Sequence, residues 1–437
     1  MPDLVIRGGD VVLPSGMIRA DIAVDGEYIT EVGQELSGGK AEFDARGLTV
    51  LPGLIDVHVH FNEPGRTDWE GGKTGSSALA AGGGSMFIDM PLNSSPCTLD
   101  AASFDQKRAA LESSSITEFG LYGGIVPGNT QHLEELAERG VMGFKAFLCN
   151  SGLPEFPRAD DETLYAAMRE ATRLDLPVLV HAENEEMTAG SGQGGIRDFL
   201  DSRPVAAEVE AITRAGKIAR ETGCRLHVVH ISSGSGVTAA LEARASGTNI
   251  SLETCPHYLY FTESDMIRLG AIAKCAPPLR GQDEYSALRE EFTRGAIDIV
   301  GSDHSPCSPT LKGYANFFQV WGGIAGVQST LSALLTVGTS PEKIAAVTAA
   351  HGAQRFRIPN KGVIAPGMHA DFALIDVGAE AILKPEALLQ THKVSPYMGE
   401  KLRGAVRATF RRGEQICSDG VITAKTKGRF VRPSKGS

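Results

Sequence analysis

The chain has no Cys-X-X-Cys pair, and its seven cysteines are scattered along 437 residues. A disulfide framework is therefore not expected, and a reducing, cytoplasmic setting is. No apolar run approaches the roughly 18–20 residues that span a bilayer, which argues against a transmembrane role. The opening residues, "MPDLVIRGGD", lack the basic segment and apolar stretch of a secretory signal. Basic charge is also short. Lysine and arginine number 42 against 53 acidic residues, a net charge of −11. That disfavours nucleic acid or an anionic membrane as the main partner and leaves a small molecule. Aromatic residues make up only 6% of the chain, with two tryptophans. There is no long linker, low-complexity tract or recurring sequence repeat.

What is present is a rhythm. Short apolar runs end in a polar residue and give way to a helical stretch. They are Leu54–His60, Ser85–Met90, Phe119–Val126, Val141–Phe147, Pro177–Ala182, Arg225–Ile231, Asn249–Cys255 and Ala296–Asp303. Between them, stretches such as "DETLYAAMREATRLD" and "AAEVEAITRAGKIARETG" repeat apolar residues at three-to-four spacing. Eight strands alternating with helices predict an α/β fold, a closed (β/α)8 TIM barrel, over residues 52–364. Residues 1–51 and 365–437 read instead as short strands joined by Asp-Gly turns. Neither end has enough strand to stand alone, so the two are expected to pair as one small β-sandwich.

The unusual residues sit at the carboxyl ends of the barrel strands, where such barrels carry their chemistry. Strand alternation puts His58 and His60 on one face, with Val57, Val59 and Phe61 on the other. Two buried imidazoles suit either a hydrogen-bonded core or one metal ion. His181, His230 and Asp303 end three further strands, and that convergence favours the metal. Lys145 stands in the apolar run "VMGFKAF". Burial there favours its neutral amine, which can add CO2 to become a carbamate that bridges two cations. The alternative is a lysine that snorkels out of the strand or pairs with a carboxylate. The constellation reads as a two-metal site. His58, His60 and Asp303 hold one divalent ion, His181 and His230 the other, and carboxylated Lys145 lies between. Imidazole-rich donors suit zinc, with cobalt, nickel, manganese or iron open by ligand type. Two such ions activate water and polarise a carbonyl together.

The motifs "PGLIDVHVHFNEPG", "GFKAF", "VHAE", "HVVHISS", "ETCPHYL", "CAPPLR" and "GSDHSPC" resemble the amidohydrolase superfamily and its cyclic amidases. The allantoinases are nearest in pattern. The resemblance spans nearly the whole chain. It implies a binuclear centre on the six residues above, with N6-carboxylated Lys145, hydrolysis of a ring amide in allantoin and, by analogy, a homotetramer. Dihydroorotases carry an arginine shortly after the second histidine, in the place that Asn62 takes in His60-Phe61-Asn62, and an asparagine where this chain has Ala276. Hydantoinases and dihydropyrimidinases carry a tyrosine soon after the lysine, which "KAFLCNSG" lacks. A hydantoinase-type amidase is the second reading, and a non-catalytic scaffold the third.

Asp303 is expected to move the proton. Asn93, Ser151, Cys275, Ala276 and Ser305 are candidate substrate contacts. Asn93 could equally be a turn residue bonding its own backbone, and Gly152 would shape the pocket with Ser151. Ser305 would offer its backbone N–H. Asp56 is expected to support the histidines or to pair deeper in the barrel. His304 and His257 read as structural neighbours of the site.

Overall fold

The computed structural model describes residues 1–188 and 192–435. Eight parallel strands form the barrel wall: Leu54–Val59, Gly84–Asp89, Glu118–Leu121, Phe144–Phe147, Val178–His181, Leu226–Val228, Ile250–Thr254 and Ile299–Val300. Each pairs with its neighbour in parallel register from Phe144 through Val300. The first three strands form a second parallel run. The third apolar run is divided, with Gly123–Gly124 rather than Glu118–Leu121 pairing Phe144–Lys145. The barrel closes where Val59 bridges His304 and His60 N–H donates to the His304 carbonyl at 2.8 Å.

Helices such as Asp161–Arg173 and Val205–Thr222 cover the wall, burying Leu164, Ala167, Met168 and Ala171 from the first and Ala211, Ile212 and Ala215 from the second. These are the three-to-four-spaced positions of the sequence. The first strand departs from simple alternation. Its pairing shifts between Asp56 and Val59. Val57 consequently packs in one cluster with Met86, Ile88 and Tyr122, while Val59 and Phe61 pack in another with Phe87 and Phe119. The expectation that Val57 shares a face with Val59 fails because that irregularity breaks the period of two.

Both chain ends build one nine-stranded, largely antiparallel sheet. The join is Thr49–Pro52, which pairs antiparallel with Phe372–Ile375. Apolar side chains including Ile6, Val11, Ile22, Val50, Phe372 and Phe410 form its separate core. Phe43 meets Phe410 edge-on at 5.6 Å although their strands are not neighbours in the sheet, so the sheet folds over on itself. Against the amino end of the barrel it sets a buried ion network. Lys361 lies 2.6 Å from Glu118 and also pairs with Asp371, and Arg412 pairs with Glu118 and Glu27. Glu118, His369 and Asp371 converge as metal-capable groups. The lysine and arginine already neutralise those carboxylates, so the cluster is an ion-pair joint.

Candidate active site

At the carboxyl end of the barrel a cavity of about 460 Å³ is lined by His58, His60, His181, His230 and Asp303 among others. His58 Nε2 and His60 Nε2 lie 3.2 Å and 3.3 Å from Asp303 Oδ1. His181 Nδ1 faces His230 Nε2 at 3.0 Å. Donor atoms of His58, His230 and Asp303 all fall within 4.8 Å of one another. Gly301 permits this approach, since a Cβ there would sit 2.8 Å from that of His58. His230 and Asp303 both have left-handed backbones, φ +41° and +46°, which swing their side chains inward at the strand ends.

Lys145 lies beneath the cavity wall. It is 1% exposed, and its Nζ has no hydrogen-bond partner. Phe147 covers it, with Nζ 4.9 Å from the ring centroid, and Phe147 itself stacks on His181 at 4.5 Å. Burial brings the amine down to about 7, against the pull of Asp303 and Glu253. A buried lysine that is partnerless and largely able to be neutral fits carbamate formation and does not fit the snorkelling alternative. Burial also lowers His60, His181 and His230, the last well below an ordinary histidine. Neutral imidazoles are the form that binds metal. Burial would raise Asp303, yet the imidazoles of His58 and His60 outweigh it and keep the carboxylate ionised. The His230 Nδ1 and His257 Nε2 atoms are buried without partners. This donor set and its orphaned polar atoms fit divalent cations.

Two carboxylates that the sequence reading passed over stand behind the imidazoles. Glu253 Oε1 accepts from His58 Nδ1 at 2.7 Å, and its Oε2 from His227 Nε2 at 3.0 Å. Burial would raise Glu253, but His58 and His227 hold it at about 2. Glu183 Oε2 accepts from His181 Nε2 at 2.8 Å and from Arg203 Nη1. The available signal was a glutamate in an apolar strand, "ISLETC", and one just past a strand end, "VHAE".

The proposed substrate contacts divide. Asn93, Ser151, Gly152, Ala276 and Ser305 line the cavity, whereas Cys275 does not. Cys275 is 1% exposed and sits beside Tyr258, because consecutive residues of extended chain face opposite ways and Ala276 takes the cavity side. Asn93 does not close on its own backbone; its amide donates to Ser305 Oγ at 3.2 Å across the mouth. Ser305 N–H is committed to the Ile324 carbonyl, which leaves the hydroxyl and not the amide for a ligand. The Ser151 hydroxyl donates to the Phe156 carbonyl at 2.6 Å, so it shapes its loop. Asn62 is buried outside the cavity lining and donates to the Pro306 carbonyl at 3.3 Å. Asp56 Oδ1 accepts from the backbone N–H groups of His58 and Ser302, tying the first strand to the eighth. His304 Nδ1 accepts from Gly326 and Val327, and its Nε2 faces Glu70 at 3.3 Å, a structural placement.

Comparison with known proteins agrees with this geometry. Residues 49–416 match the profile of the amidohydrolase family. An allantoinase of Solibacter usitatus is 57% identical over 99% of this chain and 97% of its own length. One from Rubrobacter xylanophilus is 49% identical over 99% and 98%. Among solved structures, the L-hydantoinase (dihydropyrimidinase) of Arthrobacter aurescens superposes with a TM-score of 0.95 at 29% identity, covering 99% of this chain and all of that one. With barrel, inward-facing imidazoles and full-length identity in agreement, this chain belongs to the amidohydrolase family and, within it, to the allantoinases.

Proposed function

We propose that this chain hydrolyses an amide bond in the hydantoin ring of allantoin, giving allantoate. The observation that carries the reading is the 57% identity to an allantoinase over 99% of the chain. The hydantoinase-type alternative rests on the fold match at 29% identity and is the weaker of the two.

The residues that would hold two divalent cations are His58, His60 and Asp303 for one, and His181 and His230 for the other. Lys145, carboxylated by CO2, would lie between them. Zinc suits so imidazole-rich a set. Bound there, the cations would acidify water and polarise the scissile carbonyl. The chain's own groups supply the rest. Asp303, ionised and 3.2–3.3 Å from two imidazoles, accepts the proton of the attacking water. Water oxygen joins the carbonyl carbon, the ring C–N bond breaks, and Asp303 returns the proton to the departing nitrogen. Asn93 and Ser305, coupled to each other, orient the ring from the mouth.

The same reading takes the active chain to be a cytoplasmic homotetramer, the first part supported by seven buried, unpaired cysteines. A panel of allantoin, hydantoin, dihydrouracil and dihydroorotate, offered to metal-replete protein, tests the substrate. Allantoin should be opened fastest. Preference for hydantoin would favour the alternative, and preference for dihydroorotate would refute both.

A further inference from the structure

The two ends of the donor cluster are not backed alike. Behind His58 stands Glu253, fully buried. Its partners are His58 Nδ1, His227 Nε2 and the His230 N–H, none of them a permanent cation. His227 passes its other nitrogen to Ser251 Oγ at 2.7 Å, so the negative charge of Glu253 is left uncancelled. Asp303 adds a second carboxylate against His58 and His60.

At the other end the carboxylate charge is balanced. The carboxylate behind His181 is Glu183, also fully buried, but Arg203 pairs with it directly. Arg280 donates to the Arg203 carbonyl at 2.5 Å and brings a second guanidinium close enough to act on Glu183. His230, the partner of His181, has no acceptor on Nδ1. A carboxylate behind an imidazole makes the ring a stronger donor to metal. A guanidinium on that carboxylate cancels much of the effect in a low-dielectric site.

We infer that the two cation positions load unequally: the His58–His60–Asp303 end fills first and holds its ion more tightly, and the His181–His230 end releases first. This rests on the two-metal reading above and adds to it an order set by Glu253 and Arg203.

The test begins with full-length protein stripped by chelator and retitrated with Zn2+, with affinities read by competition against a chromophoric chelator. At one equivalent, anomalous diffraction at the zinc edge should place the ion at the His58 end. Glu253→Gln should weaken the tighter step by about 10–100-fold and narrow the gap. Arg203→Gln should move the other step in the opposite sense, tightening it about tenfold or more. It serves as the independent check if Glu253→Gln fails to fold. Equal affinities, a first ion at the His181 end, or an unchanged gap in Arg203→Gln would overturn the inference while leaving the two-metal reading intact. Binding of fewer than two ions would overturn the two-metal reading itself.

Discussion

Replacing Lys107 with methionine should damage this protein far more than its place in a polar helix suggests. The helix Ala101–Ser114 carries Lys107 inward, where it is 1% exposed. Its Nζ sits 2.7 Å from Asp89 Oδ2 and donates to the Met90 carbonyl at 2.6 Å. Asp89 is fully buried at the end of the second barrel strand, and its other oxygen accepts the Phe61 N–H at 2.9 Å. Phe61 directly follows His60, so the pair anchors a segment of the active site. Methionine fills the space but leaves a buried carboxylate without its cation. Breaking such a pair from one side costs about 3–5 kcal/mol. That is a large part of the roughly 5–15 kcal/mol that holds an ordinary domain together. Both variants lose the bond to the Met90 carbonyl; Lys107→Met with Asp89→Leu removes both charges and beyond that orphans the Phe61 N–H, a cost of about 1–3 kcal/mol. The double variant should therefore be the more stable of the two, a non-additivity that identifies the pair. Urea unfolding followed by circular dichroism would measure it. A chain of this length need not unfold in one step, so the ordering of the first transitions is the quantity to compare. A single variant within about 1 kcal/mol of the parent, or a double variant worse than the single, would refute the reasoning.

Lys145→Ala should lose both cations together in elemental analysis; two ions retained per chain would exclude the bridging carbamate. Asp303→Ala should keep much of its metal yet abolish turnover, and near-normal turnover would remove Asp303 as the proton carrier. Asn93→Ala should raise KM for allantoin several-fold with little change in kcat. Asn93→Gly should do the same if the amide is what matters, because glycine keeps the left-handed backbone at φ +73°; a normal KM in the glycine variant would assign the effect to strain. His369 is held neutral, lowered to about 4 by burial and by neighbouring Lys361 and Arg412, from an ordinary 6.5. Its folded form binds fewer protons than the unfolded chain between those values, so stability present above pH 6.5 is lost as pH falls through 4. Thermal melts of His369→Gln should show a flatter acid limb; an unchanged limb would place the acid sensitivity elsewhere.

The parts legible in the sequence are those where residue type and strand position agree. His58, His60, His181, His230 and Asp303 are metal-capable groups at strand ends, and the barrel gathers them at one mouth. Lys145 was legible as an ammonium in an apolar run. The support behind them was not. Glu253 reads as one polar residue in a short strand, and its meaning depends on His58, whose strand lies far away in sequence. Lys107 shares the helical spacing of Phe104 and Leu111, but a lysine ordinarily reaches solvent, and its carboxylate partner lies on a separate strand. The mouth loop is the clearest limit. Lys274 donates to the carbonyls of Phe317 and Val320, both at 2.6 Å, and Lys312 to those of Ala271, Trp321 and Gly323. Two lysines thus organise irregular backbone that carries no periodic signal.

One further regularity links fold to chemistry. Asn93, His230 and Asp303 all adopt positive φ, between +41° and +73°. Left-handed backbone is costly for most side chains, and Asn, Asp and His are the non-glycine types that enter it most readily. In a parallel barrel, a strand that simply continues would carry its last side chains up and away from the axis. A left-handed residue at that point turns the chain into its loop and drops the side chain across the mouth. The residue types able to make that turn are also types that bind metals, carry protons and offer amides. The same short polar side chains therefore serve the backbone turn and the chemistry, and both must be preserved for the donor cluster to form. A substitution judged only by its lost functional group overlooks half of what these positions do.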